Sequence, residues 1–254
     1  MMGFNWDIIQ DYLPLFIDGA IMTVTCTVVC VVLGTFWGLI LGIGRVAQCR
    51  HGIYKYVLCV LVKWPVKIYV SAFRGTPLFV QIMVTYFVVM PFLLHPNNGI
   101  LVSDYLISPE VARYLRVQYG AFISCILAIT LNAGAYISEI FRAGIESIDK
   151  GQMEAARSLG MGYGSTMRKV ILPQAFRRML PPLGNNAIAI LKDSSLGSAI
   201  GLIDLAYAAR TAGAANAVYA EPYFVISLVY WSMTFLLSLL VKYMEKRLSK
   251  SDSH

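Results

Sequence analysis

The sequence predicts an all-α polytopic membrane protein with five transmembrane helices. Of its 254 residues, 57% are hydrophobic and only 14% are charged, whereas soluble domains carry roughly 25% charged residues. Four charge-free stretches are long enough to cross ~30 Å of hydrocarbon, which takes about 20 helical residues. A fifth apolar stretch carries a polar interruption. We expect one domain over residues 1–254, with spans at about 20–44, 75–94, 119–138, 180–203 and 223–241.

The first span, residues 20–44, contains a stripe of small residues. Gly34, Gly38 and Gly42 recur every four residues, so they share one helical face and let another backbone come close. We interpret the stripe as a helix-packing surface, with a pore-lining role as the alternative.

Residues 53–73 are apolar but carry basic side chains on one face. Lys63, Lys67 and Arg74 have the spacing of a single helical face, which predicts a helix lying along the membrane surface. The second span then starts at residues 75–77.

The third span is preceded by a predicted short polar helix, residues 108–116, with Ser108 as its N-cap. The five cysteines show no CxxC spacing, so we expect apolar packing and no metal site.

Residues 143–179 form a polar connection between the third and fourth spans. The sequence predicts two helices, 147–159 and 166–178, joined by a glycine-rich elbow, with prolines limiting the second helix. The elbow lacks the lysine that precedes the hydroxyl residue in a Walker A loop. We therefore expect no nucleotide site, no cofactor and no enzymatic activity in this chain.

The distribution of Lys and Arg predicts the orientation. Segments 45–74, 142–178 and 242–250 carry 17 of the 21 basic residues, and the alternating loops carry 3. Basic residues concentrate on the cytoplasmic side. The N-terminus is therefore predicted outside, and the C-terminus and residues 143–179 inside. The net charge of +7 reflects the Lys and Arg residues of the segments predicted to be cytoplasmic, and it does not indicate nucleic-acid binding.

The polar connection contains a specific motif. Glu154-Ala155-Ala156, Gly160, Val170 and Leu172-Pro173 stand at the spacing of the EAA motif of ABC importer permeases, which this segment resembles. Val170 replaces the usual isoleucine. Three other stretches are similar to the polar amino-acid branch, which includes histidine, glutamine, glutamate and arginine permeases: residues 73–78, 131–139 and 192–196.

The resemblance, over residues 17–247, implies a type I ABC importer transmembrane domain in a bacterial cytoplasmic (inner) membrane. The residues implied to couple it to a cytoplasmic ATPase are Glu154, Ala155, Ala156, Gly160, Leu172 and Pro173. The implied partners are an ATPase dimer that holds ATP and Mg, an extracytoplasmic amino-acid-binding protein, and a second permease subunit, identical or homologous.

Charged residues inside a span are costly, so Lys192 and Asp193 should face a cavity or a partner. Either they bind the zwitterionic substrate with Ser194 and Ser195, or they neutralise neighbouring residues structurally at a helix break between subunits. Asn132 is expected to line the same pathway. The remaining polar candidates are a gate or anchor formed by Arg74, Glu139 and Arg142.

Two other classes of protein compete with this interpretation. An ion-gradient-driven secondary transporter would explain the intramembrane charges, but no inverted repeat is apparent and the polar connection would have no role. A membrane-embedded enzyme would need a catalytic motif such as HExxH or GxSxG, and the sequence contains neither.

Overall fold

The computed structural model describes residues 5–46, 56–57, 59–103 and 105–249, and this part of the chain is helical with no β-strand. Its helices are α1 (Trp6–Asp11), α2 (Leu13–Val46), α3 (Cys59–Gly75), α4 (Leu78–Leu94), α5 (Pro109–Glu146), α6 (Lys150–Ser158), α7 (residues 163–193), α8 (Leu205–Asn216) and α9 (Ala220–Ser249). Helices α3, α4 and α7 each contain one π-helical turn, and a 3₁₀ turn, Ser194–Ile200, follows α7.

Helices α2 and α5 form the centre of the molecule, and the glycine stripe lies between them. A Cβ atom added at Gly38 would lie 2.6 Å from Cβ of Ile137, and one at Gly34 would lie 2.9 Å from Cβ of Ala133. Both distances are shorter than real Cβ contacts, so only glycine permits this approach. The prediction of a helix-packing stripe is confirmed.

The apolar core surrounds this helix pair. Cys26, Cys30 and Cys125 are fully buried in it, which confirms the packing role predicted for these cysteines. Cys59 is exposed, and Cys49 lies outside the described residues.

Helix α5 is longer than predicted. Ser108 caps it as expected, accepting a hydrogen bond at Oγ from the Val111 amide. The helix does not stop at residue 116, however, and continues without a break to Glu146. The prediction of a separate short helix is therefore wrong, since Gln118 and Gly120 do not interrupt the hydrogen-bonded ladder.

Helix α7 runs through prolines that were expected to end it. The π-helical turn Met167–Ile171 precedes Pro173 and provides the extra residue that accommodates its ring. Helix α7 also continues through Pro181 and Pro182 to Asp193. It is packed there between α5 and α9, where Gly184 faces Val241 and Met179 faces Gly144.

Within the described residues, three helices are long and apolar enough to cross a membrane: α2, α5 and residues 220–247 of α9. Helices α3 and α4 pass the same test together, but they are bent by 107° at residues 76–77, where the sequence predicted that the second span begins. Residues 180–203 do not pass. The helix there carries Lys192 and Asp193, and it gives way to the 3₁₀ turn after Asp193.

Candidate functional site

The predicted coupling segment forms a short helix that projects from the end of α5. Helix α6 begins after Asp149, whose Oδ1 accepts a hydrogen bond from the Gly151 amide at 2.6 Å. Two hydrophobic anchors, Ile148 before the helix and Met153 within it, pack against Ile171 of α7. The helix is therefore fixed at its base, while its far side is free to meet another protein.

The EAA residues divide between the two faces of α6. Ala156 is buried, whereas Glu154 and Ala155 are exposed. Leu159, directly after the helix, has 84% of its surface exposed. An exposed leucine beside a short alanine and a carboxylate can enter a groove on a partner.

Gly160 makes the turn that follows α6. Its φ angle is +84°, a conformation that side-chain-bearing residues rarely adopt. The Gly160 amide donates to the Arg157 carbonyl, and the Met161 amide donates to that of Ala156. Farther along, Leu172 is half-buried and Pro173 is exposed.

Glu139 gathers three arginines from three helices. Its Oε2 lies 2.5 Å from Nη1 of Arg45 on α2 and 3.8 Å from Nη1 of Arg74 on α3. Its Oε1 accepts a hydrogen bond from Nε of Arg142 at 3.0 Å. Arg142 also pairs with Glu146. The three residues predicted as a gate or anchor therefore meet in one cluster, together with Arg45.

A hydrogen-bond network holds the break between α3 and α4. Asn132 Nδ2 donates to the Phe73 carbonyl at 3.1 Å and to Gln81 Oε1 at 3.0 Å. Gln81 Nε2 in turn donates to Phe73 and to both oxygens of Thr76. Because Asn132 lies on α5, the network ties the bend to the central helix.

A cavity of about 550 Å³ opens beside this network. Asn132 and Asp193 line the same cavity, and so does Arg74, whose guanidinium lies 5.3 Å from the centre of the Tyr136 ring. Thr76, Tyr136 and Asn186 supply further polar groups to the lining. A carboxylate, a cation and two amides thus face one space of a size that admits an amino acid.

The sequence neighbours of Asp193 that were also predicted to line the pathway, Lys192, Ser194 and Ser195, do not line this cavity. Lys192 is exposed and does not line it. Ser194 is buried and donates to the Leu191 carbonyl, and Ser195 donates to the carbonyl of Lys192. Of the four neighbours, only Asp193 shares the cavity with Asn132.

Sequence reasoning missed several residues of these sites. Arg45, Gln81 and Asn186 were not singled out, although Gln81 is a polar residue inside an apolar span and could have been found on that ground. Leu159 stands inside the EAA motif, but its exposure was not expected for a leucine.

Comparisons with known proteins agree with this geometry. Residues 59–250 match the model of a family described as binding-protein-dependent transport system inner membrane component. The chain is 33% identical over 251 residues to the arginine transport system permease protein ArtQ of Bacillus subtilis, covering 99% of this chain and 100% of that protein. It is 34% identical to the glutamate/aspartate import permease protein GltK of Escherichia coli O6:H1, with coverage of 97% and 99%.

A solved structure has the same fold. The crystal structure of an amino acid ABC transporter with histidines contains a chain 34% identical to this one, with a TM-score of 0.79 and coverage of 97% of this chain and 100% of that one. The resemblance to ABC importer permeases is thus confirmed, and the fold is the helical transmembrane fold of type I ABC importers. The chain belongs to the family of binding-protein-dependent transport system inner membrane components.

Proposed function

We propose that the chain is the permease subunit of an ATP-driven importer for polar amino acids, which moves substrate by alternating access. The observation that carries this proposal is helix α6. It presents Glu154, Ala155 and Leu159 to solvent at a base fixed on α5 and α7. The relatives that transport arginine or glutamate and aspartate support the substrate class.

This arrangement allows movement of an ATPase to be passed to the membrane helices. A cytoplasmic ATPase dimer binds ATP and Mg, and one of its grooves receives α6. Since Ile148 and Met153 hold the helix against α7, a displacement of α6 moves α5 and α7 as well. The exposed Glu154 pairs with a basic residue of the groove, and Gly160 keeps the turn tight enough for Leu159 to project.

The proposed topology is five spans with the N-terminus outside and the C-terminus inside. The bent pair α3–α4 provides one span. Residues 180–203 provide another, in which Asp193 faces the cavity while Lys192 is exposed at the end of α7. Along α5, Arg116 and Glu139 are 23 residues apart, or about 35 Å at 1.5 Å per residue. That separation matches one crossing of the bilayer.

The substrate pathway is proposed at the 550 Å³ cavity. The Asp193 carboxylate accepts hydrogen bonds from the α-ammonium group of the substrate, and the Arg74 guanidinium attracts the substrate's α-carboxylate. Asn132 contributes at the same wall, while Lys192, Ser194 and Ser195 act structurally at the end of α7. An extracytoplasmic binding protein delivers the substrate, and a second permease subunit, identical or homologous, completes the pathway.

The test is a charge reversal on α6. Glu154→Lys should insert into the membrane normally but abolish uptake and ATPase coupling, because the groove contact is lost. Glu110→Lys is the matched control, since Glu110 is an exposed glutamate in the first turn of α5, on the opposite side of the proposed bilayer. Full uptake by the Glu154→Lys transporter would contradict the proposal.

A gradient-driven transporter is the second candidate, favoured by the carboxylate of Asp193 in a polar cavity. Reconstitution in proteoliposomes separates the two functions. The importer should accumulate substrate only with its ATPase and internal ATP, and an ion gradient applied to the permease alone should give no uptake.

A further inference from the structure

A second cavity, of about 680 Å³, lies at the end of the molecule that bears α6. Its walls come from the last turn of α2, the first turn of α3, the end of α5, helix α6 and the start of α7. It is separate from the proposed substrate cavity and has no residue in common with it.

The walls of this cavity carry an excess of positive charge. Four basic residues line it, against two acidic ones, Glu146 and Asp149; the basic residues are Arg45, Lys63, Arg142 and Lys150. Glu139 neutralises part of the charge of Arg45 and Arg142 from behind. The cavity therefore attracts an anion.

Lys63 and Lys150 supply the unneutralised charge. Neither forms an ion pair with a carboxylate in the described part of the chain, whereas Arg45 and Arg142 do. Lys63 is half-buried, which is an expensive position for an ammonium group that lacks a partner. Asp149 caps α6 through Oδ1 and still contributes one negative charge to the lining, so the four basic residues exceed Asp149, Glu146 and Glu139 by one positive charge.

The helices that supply Arg45 and Lys63 to the cavity also carry exposed apolar side chains. Ile43 on α2 has 61% of its surface exposed, and Leu61 and Trp64 on α3 have 68% and 58%. Tryptophan is enriched at the level of the lipid headgroups. A ligand with an anionic head and long apolar chains matches both the basic interior of the cavity and these exposed side chains on α2 and α3.

We propose that the cavity binds the phosphate headgroup of an anionic phospholipid of the cytoplasmic leaflet. The proposal rests on the orientation proposed above, which places this end of the molecule in the cytoplasm. Lys63 and Lys150 approach the phosphate from opposite walls, and the acyl chains lie along Ile43 and Leu61. Basic pockets between transmembrane helices on this side are known to bind such headgroups.

Lipid in this cavity connects α2 and α3 to α6. Lys150 is the first residue of α6, and Met153, one turn later, also lines the cavity. An occupied site therefore braces the coupling helix against the membrane, so ATPase coupling should increase with the anionic lipid content.

The binding test uses the intact transporter, delipidated and returned to nanodiscs of phosphatidylcholine with or without phosphatidylglycerol. Retained lipid is counted by native mass spectrometry. Lys63→Gln should weaken phosphatidylglycerol retention roughly fivefold, which corresponds to about 1 kcal/mol for one basic contact. Lys63→Arg should restore it, and Lys150→Gln should reproduce the loss.

Lys67→Gln is the matched control. Lys67 is exposed on the next turn of α3, outside the cavity, and its ammonium lies 6.0 Å from the centre of the Trp64 ring. If Lys67→Gln and Lys63→Gln lower retention equally, general surface charge explains the binding and the proposal is wrong.

A competition experiment identifies the ligand. Millimolar inorganic phosphate should not displace the lipid from the wild-type transporter; full displacement would assign the cavity to a free anion and overturn the lipid proposal. Retention is measured without transport, so a normal lipid count together with uptake by Glu154→Lys would contradict the proposed function alone.

Discussion

Glu139 and Arg45 form an ion pair of 2.5 Å between helices α5 and α2, and both side chains are mostly shielded from solvent. They are 94 residues apart in the sequence. The same carboxylate also faces Arg74 and Arg142. One negative charge thus holds three positive charges together, and its removal would leave the arginines to repel one another.

Glu139→Gln should therefore destabilise the transporter by roughly 1–3 kcal/mol, the cost of leaving shielded charged groups without their partner. Thermal unfolding of the purified transporter, followed by intrinsic fluorescence, measures the effect. Glu146→Gln is the control. Among the described residues Glu146 pairs with Arg142 alone, and its side chain is 61% exposed, so the substitution should change little. Equal shifts for the two variants would contradict the role of Glu139.

Gly38 is predicted to tolerate no side chain. In Gly38→Ala the added Cβ would lie 2.6 Å from both Cβ and Cγ2 of Ile137, so α2 and α5 must separate. We expect a loss of at least about 1–3 kcal/mol, as for other overpacked contacts, seen as a lower unfolding temperature.

Gly164→Ala is the control for the substitution at Gly38. A Cβ at Gly164 meets no atom within 4 Å, and its residue lies in the first turn of α7. This variant should unfold at the wild-type temperature or slightly above it. A Gly38→Ala transporter as stable as Gly164→Ala would show that the two helices can move apart freely.

The turn at Gly160 is predicted to set the coupling between α6 and the ATPase. Gly160→Ala places a side chain at φ +84°, which costs roughly 1–2 kcal/mol, although no atom obstructs it. The turn relaxes and redirects Leu159. Substrate-stimulated ATPase activity should fall while membrane insertion stays normal.

Gly162→Ala tests whether this effect depends on the backbone conformation. Gly162 is close by and equally free of obstruction, but its φ angle is −68°. Alanine is acceptable there, so ATPase stimulation should be retained. If both variants lose stimulation equally, the strained φ angle of Gly160 is not the cause.

Asp204 should make stability depend on pH. It lies in the connection before α8, is fully buried, and accepts a hydrogen bond at Oδ1 from the Tyr207 amide. Its Oδ2 has no hydrogen-bond partner among the described residues. Burial raises the pKa of Asp204 from 3.8 to about 7, and the titratable side chains near it are those of Cys26, Cys125 and Tyr230.

Because its pKa is higher in the folded state, folded Asp204 keeps its proton between about pH 4 and 7 while the unfolded chain loses it. The free energy of unfolding should therefore fall as the pH rises through this range. Asp204→Asn retains the capping oxygen but cannot ionise. Its unfolding temperature should exceed that of the wild type above neutral pH and depend less on pH. Parallel profiles for the two proteins would contradict the assignment.

The sequence was informative where one local pattern determines the structure. Hydropathy located the helices α2 and α9, the spacing of Gly34 and Gly38 identified a packing face, and Ser108 identified a helix start. Each of these signals depends on residues within a few turns of one another, so no tertiary information was needed.

Structure determined by distant partners could not be predicted in the same way. Nothing near Arg45 indicates that it meets Glu139. The continuation of α7 beyond Pro181 depends on packing against α5 and α9, which local propensity does not contain. The residues that line the proposed substrate cavity likewise come from four separate helices, α3, α4, α5 and α7, and their convergence follows from the 107° bend at residues 76–77.

Helix α5 has 38 residues in one uninterrupted element, or about 57 Å of rod, nearly twice the thickness of the hydrocarbon layer. Because the helix is uninterrupted, it cannot shorten when one of its ends is displaced. Only Ser147, Ile148 and Asp149 separate α5 from α6. A displacement of α6 would therefore tilt or translate the whole of α5, including Pro109 at its far end. If α6 is driven by a cytoplasmic ATPase, as proposed, then α5 carries that movement across the membrane and changes the shape of the outer face.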